Sequence, residues 1–178
     1  MERFDLDKLV NDLRGAATGA NANGAIKDIL KKTVSEPEQL SKMMPDFEEN
    51  DVILFEDETI SIWHCRFMPG HTVPAHDHQM LATIGVYRGA ERNEFYETDD
   101  TGAMHKVSEV QLTAGNVLQI GPDAIHAVGC DSPEPCCGIH VYLGELTTVD
   151  RSIFDIKSGE ELKFTDDNYN KLTSRDID

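Results

Sequence analysis

Positive charge is scarce in this chain: 16 Lys and Arg stand against 33 Asp and Glu, giving a formal net charge of −17 over 178 residues. Such a surface repels phosphate backbones, so nucleic acid is not an expected partner. The same field opposes anionic small molecules at long range, so a carboxylate ligand would need a local cation. Long apolar runs are also missing. No stretch approaches the roughly 20 apolar residues that a membrane-spanning helix requires. The opening Met1-Glu2-Arg3-Phe4-Asp5-Leu6 has neither the basic start nor the apolar run of a signal peptide. These absences lead to the expectation of a soluble, cytoplasmic protein with no membrane partner. Cysteines are few, at Cys65, Cys130, Cys136 and Cys137, and their spacing forms neither a metal knuckle nor an evident disulfide framework. Buried or half-buried thiols on strands are expected in a reducing compartment. Internal repeats, low-complexity runs and domain linkers are absent, and the length suits one domain with a full core.

What the chain does have is histidine in a telling place. The stretch from Pro69 to Gly89 contains His76-Asp77-His78, followed by an apolar run from Met80 to Tyr87 that closes on Arg88-Gly89. On a strand, side chains alternate between faces, so the two imidazoles would share one face and Asp77 would point the other way. Asp77 then suits a supporting or turn-stabilising role. Further along, Gly115–Val128 supplies His126 directly after a Gly-Pro-Asp turn, where a neighbouring antiparallel strand could bring a third ligand. Three neutral imidazoles suit Fe, Zn, Cu or Ni. By contrast, His71 in a turn and His105 in a polar strand read as solvated residues.

Around these motifs the pattern changes period once. Apolar residues from Phe4 to Arg14 and from Ala25 to Val34 fall at helical spacing. Ser35-Glu36-Pro37-Glu38 has the form of a capping box and predicts a third helix through Met43. After Pro45 the alternation becomes twofold, and strands are expected over 52–56, 59–67, 73–76, 82–88, 91–98, 104–112, 116–120, 126–130 and 137–143, with edge strands at 153–156 and 161–164. The expected division is an N-terminal helical segment, 1–45, packed outside a β-barrel, 46–165, with an acidic tail, 166–178, ordered only in part. On the strand at 59–67, the apolar set Trp63, Cys65 and Phe67 should face the core, with His64, Arg66 and Met68 on the other side.

The paired motifs resemble those of the cupin superfamily: Gly70, His76, His78 and Gly89 fit the first, and Gly115, Pro122 and His126 fit the second. The glutamate of the first motif is replaced, since Ala82 and Thr83 occupy its two usual positions. The resemblance implies a mainly β fold, the double-stranded β-helix, a small antiparallel β-barrel, here with N-terminal α-helices. Within that superfamily the chain looks most similar to the bacterial thiol dioxygenases, through His76-Asp77-His78, Gly85–Glu91 and His140-Val141-Tyr142. This similarity implies Fe(II) held by His76, His78 and His126, with Tyr142 and His140 as catalytic groups beside it. Arg151, nine residues past Tyr142, corresponds in spacing to the cation that binds a substrate carboxylate; a surface pair with Asp150 or Asp155 is the alternative. Arg66 is a second candidate cation. The match departs at Gly138, where the family usually carries a serine hydrogen-bonded to the His-Tyr pair.

The function so implied is an Fe(II)-dependent, non-haem thiol dioxygenase, oxidising a small thiol-carboxylate such as 3-mercaptopropionate or cysteine to its sulfinate with O2, as a monomer or homodimer. The alternatives are a metal-dependent cupin lyase, isomerase or dioxygenase acting on a non-sulfur small molecule, and a non-catalytic cupin that binds or senses one.

Overall fold

The computed structural model describes residues 4–173. Three helices come first: α1 (Leu6–Ala17), α2 (Ala22–Val34) and α3 (Pro37–Met43). Asp5 caps α1, its carboxylate accepting from Lys8 N at 3.0 Å, which satisfies one of the donors a helix start leaves open. The expected capping box before α3 does not form. Ser35 ends α2 instead, its hydroxyl donating to Lys32 O at 2.7 Å. With only Ser35 and Glu36 between the two helices, the hydroxyl serves the carbonyl behind it, and Pro37 at the first turn starts α3 without a side-chain cap.

Eleven strands follow among the described residues: β1 (Asp51–Glu56), β2 (Ser61–Phe67), β3 (Thr72–His76), β4 (Ala82–Arg88), β5 (Ala90–Thr98), β6 (Met104–Thr113), β7 (Val117–Ile120), β8 (Ile125–Cys130), β9 (Cys136–Tyr142), β10 (Ser152–Asp155) and β11 (Glu160–Lys163). All pairings are antiparallel. They form a five-stranded sheet, β1-β2-β9-β4-β7, and a six-stranded sheet, β11-β10-β3-β8-β5-β6. The expectation of a mainly β chain of two antiparallel sheets with N-terminal helices is met.

Alternation decides what each face touches. On β4, Ala82, Ile84 and Val86 point into the barrel. On β9, Ile139 and Val141 point outward, where Leu13, Ile26, Leu30 and Val34 of the helices cover them. Each such leucine or isoleucine, fully buried, is worth roughly 1.5–3 kcal/mol. Gly85 permits the approach of α2, because a Cβ there would stand 3.1 Å from a methyl of Val34. The helices therefore lie outside the barrel, and none of their residues lines the histidine cavity.

The face assignment of β2 holds. Trp63, Cys65 and Phe67 pack inward against Val73 and Val128 of the other sheet. On the opposite face His64 reaches Tyr87 Oη at 2.8 Å. Arg66 also points away from the interior, donating to Asn50 Oδ1, Phe47 O and Glu48 O; it ties down the lead into β1.

Two features depart from the sequence reading. Cys130 and Cys136 form a disulfide with Cα atoms 5.8 Å apart, closing the turn between β8 and β9, whereas four free thiols were expected. Register explains it: the Pro-rich loop 131–135 returns the chain to the neighbouring sheet so that the last residue of β8 faces the first of β9. Only Cys65 and Cys137 are free, and both are buried. Secondly, residues 166–173 form a helix, α4 (Asp166–Thr173), that packs on β3 and buries Leu172. The remainder of the expected tail, 174–178, lies outside the described residues. No helix is long and apolar enough to cross a membrane among the described residues.

Candidate metal centre

β3 and β8 are neighbours in the six-stranded sheet, and their register sets His76 directly across from His126. His78 follows the end of β3 rather than sitting on it, because the strand stops at His76. The expected strand alternation is thus replaced by an irregular segment. Asp77 fixes it: one carboxylate oxygen accepts from Ser152 N at 2.8 Å and the other from Gln79 Nε2 at 2.5 Å, while Asp77 N donates to Ser152 O. Gln79, at φ 56°, then turns the chain away, a conformation that costs a non-glycine residue energy and is held by its surroundings.

The result is a cluster. His76, His78 and His126 are buried, and one ring nitrogen from each lies within 4.8 Å of the others. Their ring centroids are 4.6–5.0 Å apart. Two of the rings are oriented from behind. His76 Nδ1 meets Pro74 O at 2.8 Å and His126 Nδ1 meets Asn93 Oδ1 at 3.1 Å. A carbonyl oxygen there accepts a ring N–H, so each ring carries its proton on Nδ1 and presents an unprotonated Nε2. His126 Nε2 is buried with no hydrogen-bond partner, as is His78 Nδ1. Orphaned buried nitrogens are costly unless something binds them. Burial pushes the pKa of His76 down to about 4, helped by the nearby Arg151 charge. It pushes His78 and His126 well below the ordinary range, with the other imidazoles adding to the effect. All three rings are therefore neutral at pH 7, which is the ligating form. These residues fit a divalent transition metal, with hydrogen bonds behind the ligands of the kind metal sites use.

The same cavity, about 350 Å³, is also lined by His140, Tyr142 and Arg151. His140 and Tyr142 project inward from β9, on the facing sheet. The Tyr142 ring lies 5.0 Å from that of His78, and its hydroxyl is 3.4 Å from His140 Nδ1. Burial raises the Tyr142 pKa well above its usual value, so it is a phenol, not a phenolate. Ala82, at one of the two positions expected for a carboxylate ligand, pairs across from Tyr142 and offers only a methyl. Thr83 faces outward and receives a hydrogen bond from Gln119.

Arg151 precedes β10. Its guanidinium stacks over Phe164 with Cζ 3.9 Å from the ring centroid, and no carboxylate pairs with it among the described residues. Asp150 pairs instead with Lys163. Burial lowers the Arg151 pKa, while Tyr142 and Asp77 oppose the shift; the group stays charged.

Several contributors escaped the sequence reading. Asn93 and Glu91 are polar residues at alternate positions of β5, buried where an apolar residue would be expected; their i, i+2 spacing on a strand was the available signal. Phe164, Asp166 and Tyr169 reach the cavity from the C-terminal segment. Tyr169 Oη also holds His71 Nε2 at 2.8 Å, so His71 is a partner of α4 and not a solvated side chain.

No family model matches the chain. Among solved structures, it is similar to an uncharacterised protein with a double-stranded β-helix domain from Klebsiella pneumoniae, at 15% identity and TM-score 0.46 over 65% of this chain and 93% of that one. An RmlC-like cupin family protein from Methanocaldococcus jannaschii matches at 12% identity and TM-score 0.46, covering 58% of this chain and 90% of that one. The DMSP lyase DddQ from Ruegeria pomeroyi matches at 14% and 0.42, over 52% and 42% respectively.

Proposed function

We propose that this protein is an Fe(II)-dependent thiol dioxygenase that converts a small thiol-carboxylate to its sulfinate. One observation carries the reading: three neutral imidazoles and an arginine with no carboxylate partner among the described residues face the same cavity. Ligands without charge leave a divalent ion with its full positive charge, which favours an anionic thiolate. A guanidinium without a carboxylate partner, half-buried and held flat by Phe164, suits a carboxylate that binds through paired hydrogen bonds. A bifunctional ligand with a thiolate at one end and a carboxylate at the other satisfies both.

His76, His78 and His126 would hold the iron, which supplies the redox chemistry that adds both atoms of O2 to one sulfur. The balance is complete without another reactant, since a thiolate plus O2 gives a sulfinate. The chain's part is to place the reactants. Arg151 binds and orients the carboxylate. Tyr142, a buried phenol beside His78, offers a hydroxyl to the reacting groups. Trp63, Cys65, Phe67 and Val128 wall the cavity and exclude water.

The test is oxygen uptake by anaerobically iron-reconstituted protein with 3-mercaptopropionate, cysteine and cysteamine, with sulfinate quantified. Uptake matched one to one by sulfinate is the expected result. Arg151→Ala should raise KM for the two thiol acids by roughly tenfold or more, the scale of a lost charge-assisted hydrogen bond, and leave cysteamine, which has no carboxylate, unchanged. Iron fully bound without thiol-dependent uptake would overturn the reading in favour of a non-sulfur substrate or a binding role.

A further inference from the structure

Behind His140 lies a carboxylate that the proposed chemistry leaves unused. Glu91, on β5, is 0% exposed. Its Oε1 stands 3.5 Å from His140 Nε2, and its Oε2 has no hydrogen-bond partner. No Lys or Arg forms an ion pair with it among the described residues; His140 is the group it faces. Enclosing a carboxylate with one oxygen unsatisfied is expensive, and an apolar residue would serve the core better. Glu91 is therefore poorly explained by packing.

Gly138 supplies the second observation. It lies on β9, two residues before His140, with no positive φ to demand glycine. Space demands it. A Cβ at this position would stand 3.1 Å from Glu91 Oε1 and 3.2 Å from both Gly85 O and His140 Nε2. Any side chain would press into the gap between carboxylate and imidazole. The missing side chain on one sheet and the buried acid on the other are two halves of one contact.

We propose that Glu91 is a positioning residue: its carboxylate accepts the Nε2 proton of His140, leaving Nδ1 to accept the hydroxyl hydrogen of Tyr142, and Gly138 is the residue that admits it. Polarity then runs in one direction along Glu91, His140 and Tyr142. The carboxylate can only accept, so a neutral ring donates to it from Nε2 and is left to accept at Nδ1. The Tyr142 oxygen keeps its lone pairs toward the cavity. Glu91 and Asn93, alternate residues of one strand, thus set the tautomers of His140 and His126 in opposite senses, since Asn93 holds a proton on Nδ1 of His126.

This inference rests on His140 and Tyr142 as working groups, but its test does not depend on the reaction. Histidine labelled with 15N in the diamagnetic protein, metal-free or zinc-loaded, reports which ring nitrogen carries hydrogen, and His140→Gln assigns the signal. The expected result is a proton on Nε2 of His140 in the unaltered chain; a proton on Nδ1 overturns the proposal. Glu91→Gln keeps the shape and should mix the two tautomers, while Gly138→Ala, which leaves Glu91 in place but crowds the gap, should shift the same signal. An unchanged Nε2 tautomer in folded Glu91→Gln also overturns it. In thiol turnover, Glu91→Gln should lower kcat by roughly tenfold to hundredfold with KM and metal content unchanged. If no thiol is turned over but the tautomer responds as stated, the reaction assignment fails and the positioning role stands.

Discussion

The two sheets contribute to the cavity in different ways. The six-stranded sheet carries His76 and His126 on adjacent strands, and its edge strand β6 is exposed along nearly its whole length. Its precision comes from hydrogen bonds placed behind the rings, at Pro74 O and Asn93 Oδ1. The five-stranded sheet carries His140 and Tyr142 on β9, and its central strands β4 and β9 are buried on both faces, by helices outside and by the cavity wall inside. Here precision comes from packing. Under the proposed function, the first sheet would bind and the second orient. Changes on one should alter what is held, and changes on the other how well it reacts.

The largest effect should come from the first sheet. His126→Ala removes one of three ligands and should reduce stoichiometric metal to a small residue in elemental analysis of the purified protein; full occupancy would show that the three imidazoles are not the site. Next comes the second sheet. Tyr142→Phe deletes a hydroxyl and little volume, so metal content should be unchanged while turnover falls roughly hundredfold, the scale of a lost proton-handling group. An unaltered rate would return this ring to the core and erase the division of labour.

The smallest effect lies on the far face of the second sheet, where His64 sits against Phe47 and Tyr87. Burial holds its pKa down at about 4, against an ordinary 6.5, with the Arg66 charge adding to the shift. The unfolded chain therefore takes up the proton first as pH falls. Stability from neutral His64 is complete above pH 6.5 and is lost progressively as pH drops toward 4. Urea unfolding of the metal-free protein should show a shallower pH dependence across that window in His64→Phe than in the unaltered chain. Equal slopes would mean that this face contributes nothing to the acid sensitivity, leaving the ligand histidines as its source.

How far the sequence was readable depends on whether local pattern or distant pairing fixed each residue. The strand 82–88 is found as expected because alternation and the Arg88-Gly89 turn are local. Inward placement of Trp63, Cys65 and Phe67 likewise follows from which half of an alternating strand is apolar. The capping box failed because the competing acceptor, Lys32 O, belongs to the preceding helix. The disulfide was unreadable because Cys130 and Cys136 meet only when β8 and β9 pass between the two sheets. The C-terminal helix buries a single residue, Leu172, too little apolar pattern to announce it.

By itself, the sequence determined that this is a mainly β chain with helices ahead of it, and that three histidines stand in framed turns and strands fit to converge. Those conclusions rest on side-chain periodicity and turn chemistry, which act over a few residues. Only the tertiary structure decided that Arg151 stacks on Phe164 and faces the cavity, that Asn93 and Glu91 stand behind separate imidazoles, and that Gly138 makes room for an acid from another strand. Partner choice and free space are properties of the register between strands far apart in the chain, and no local pattern carries them.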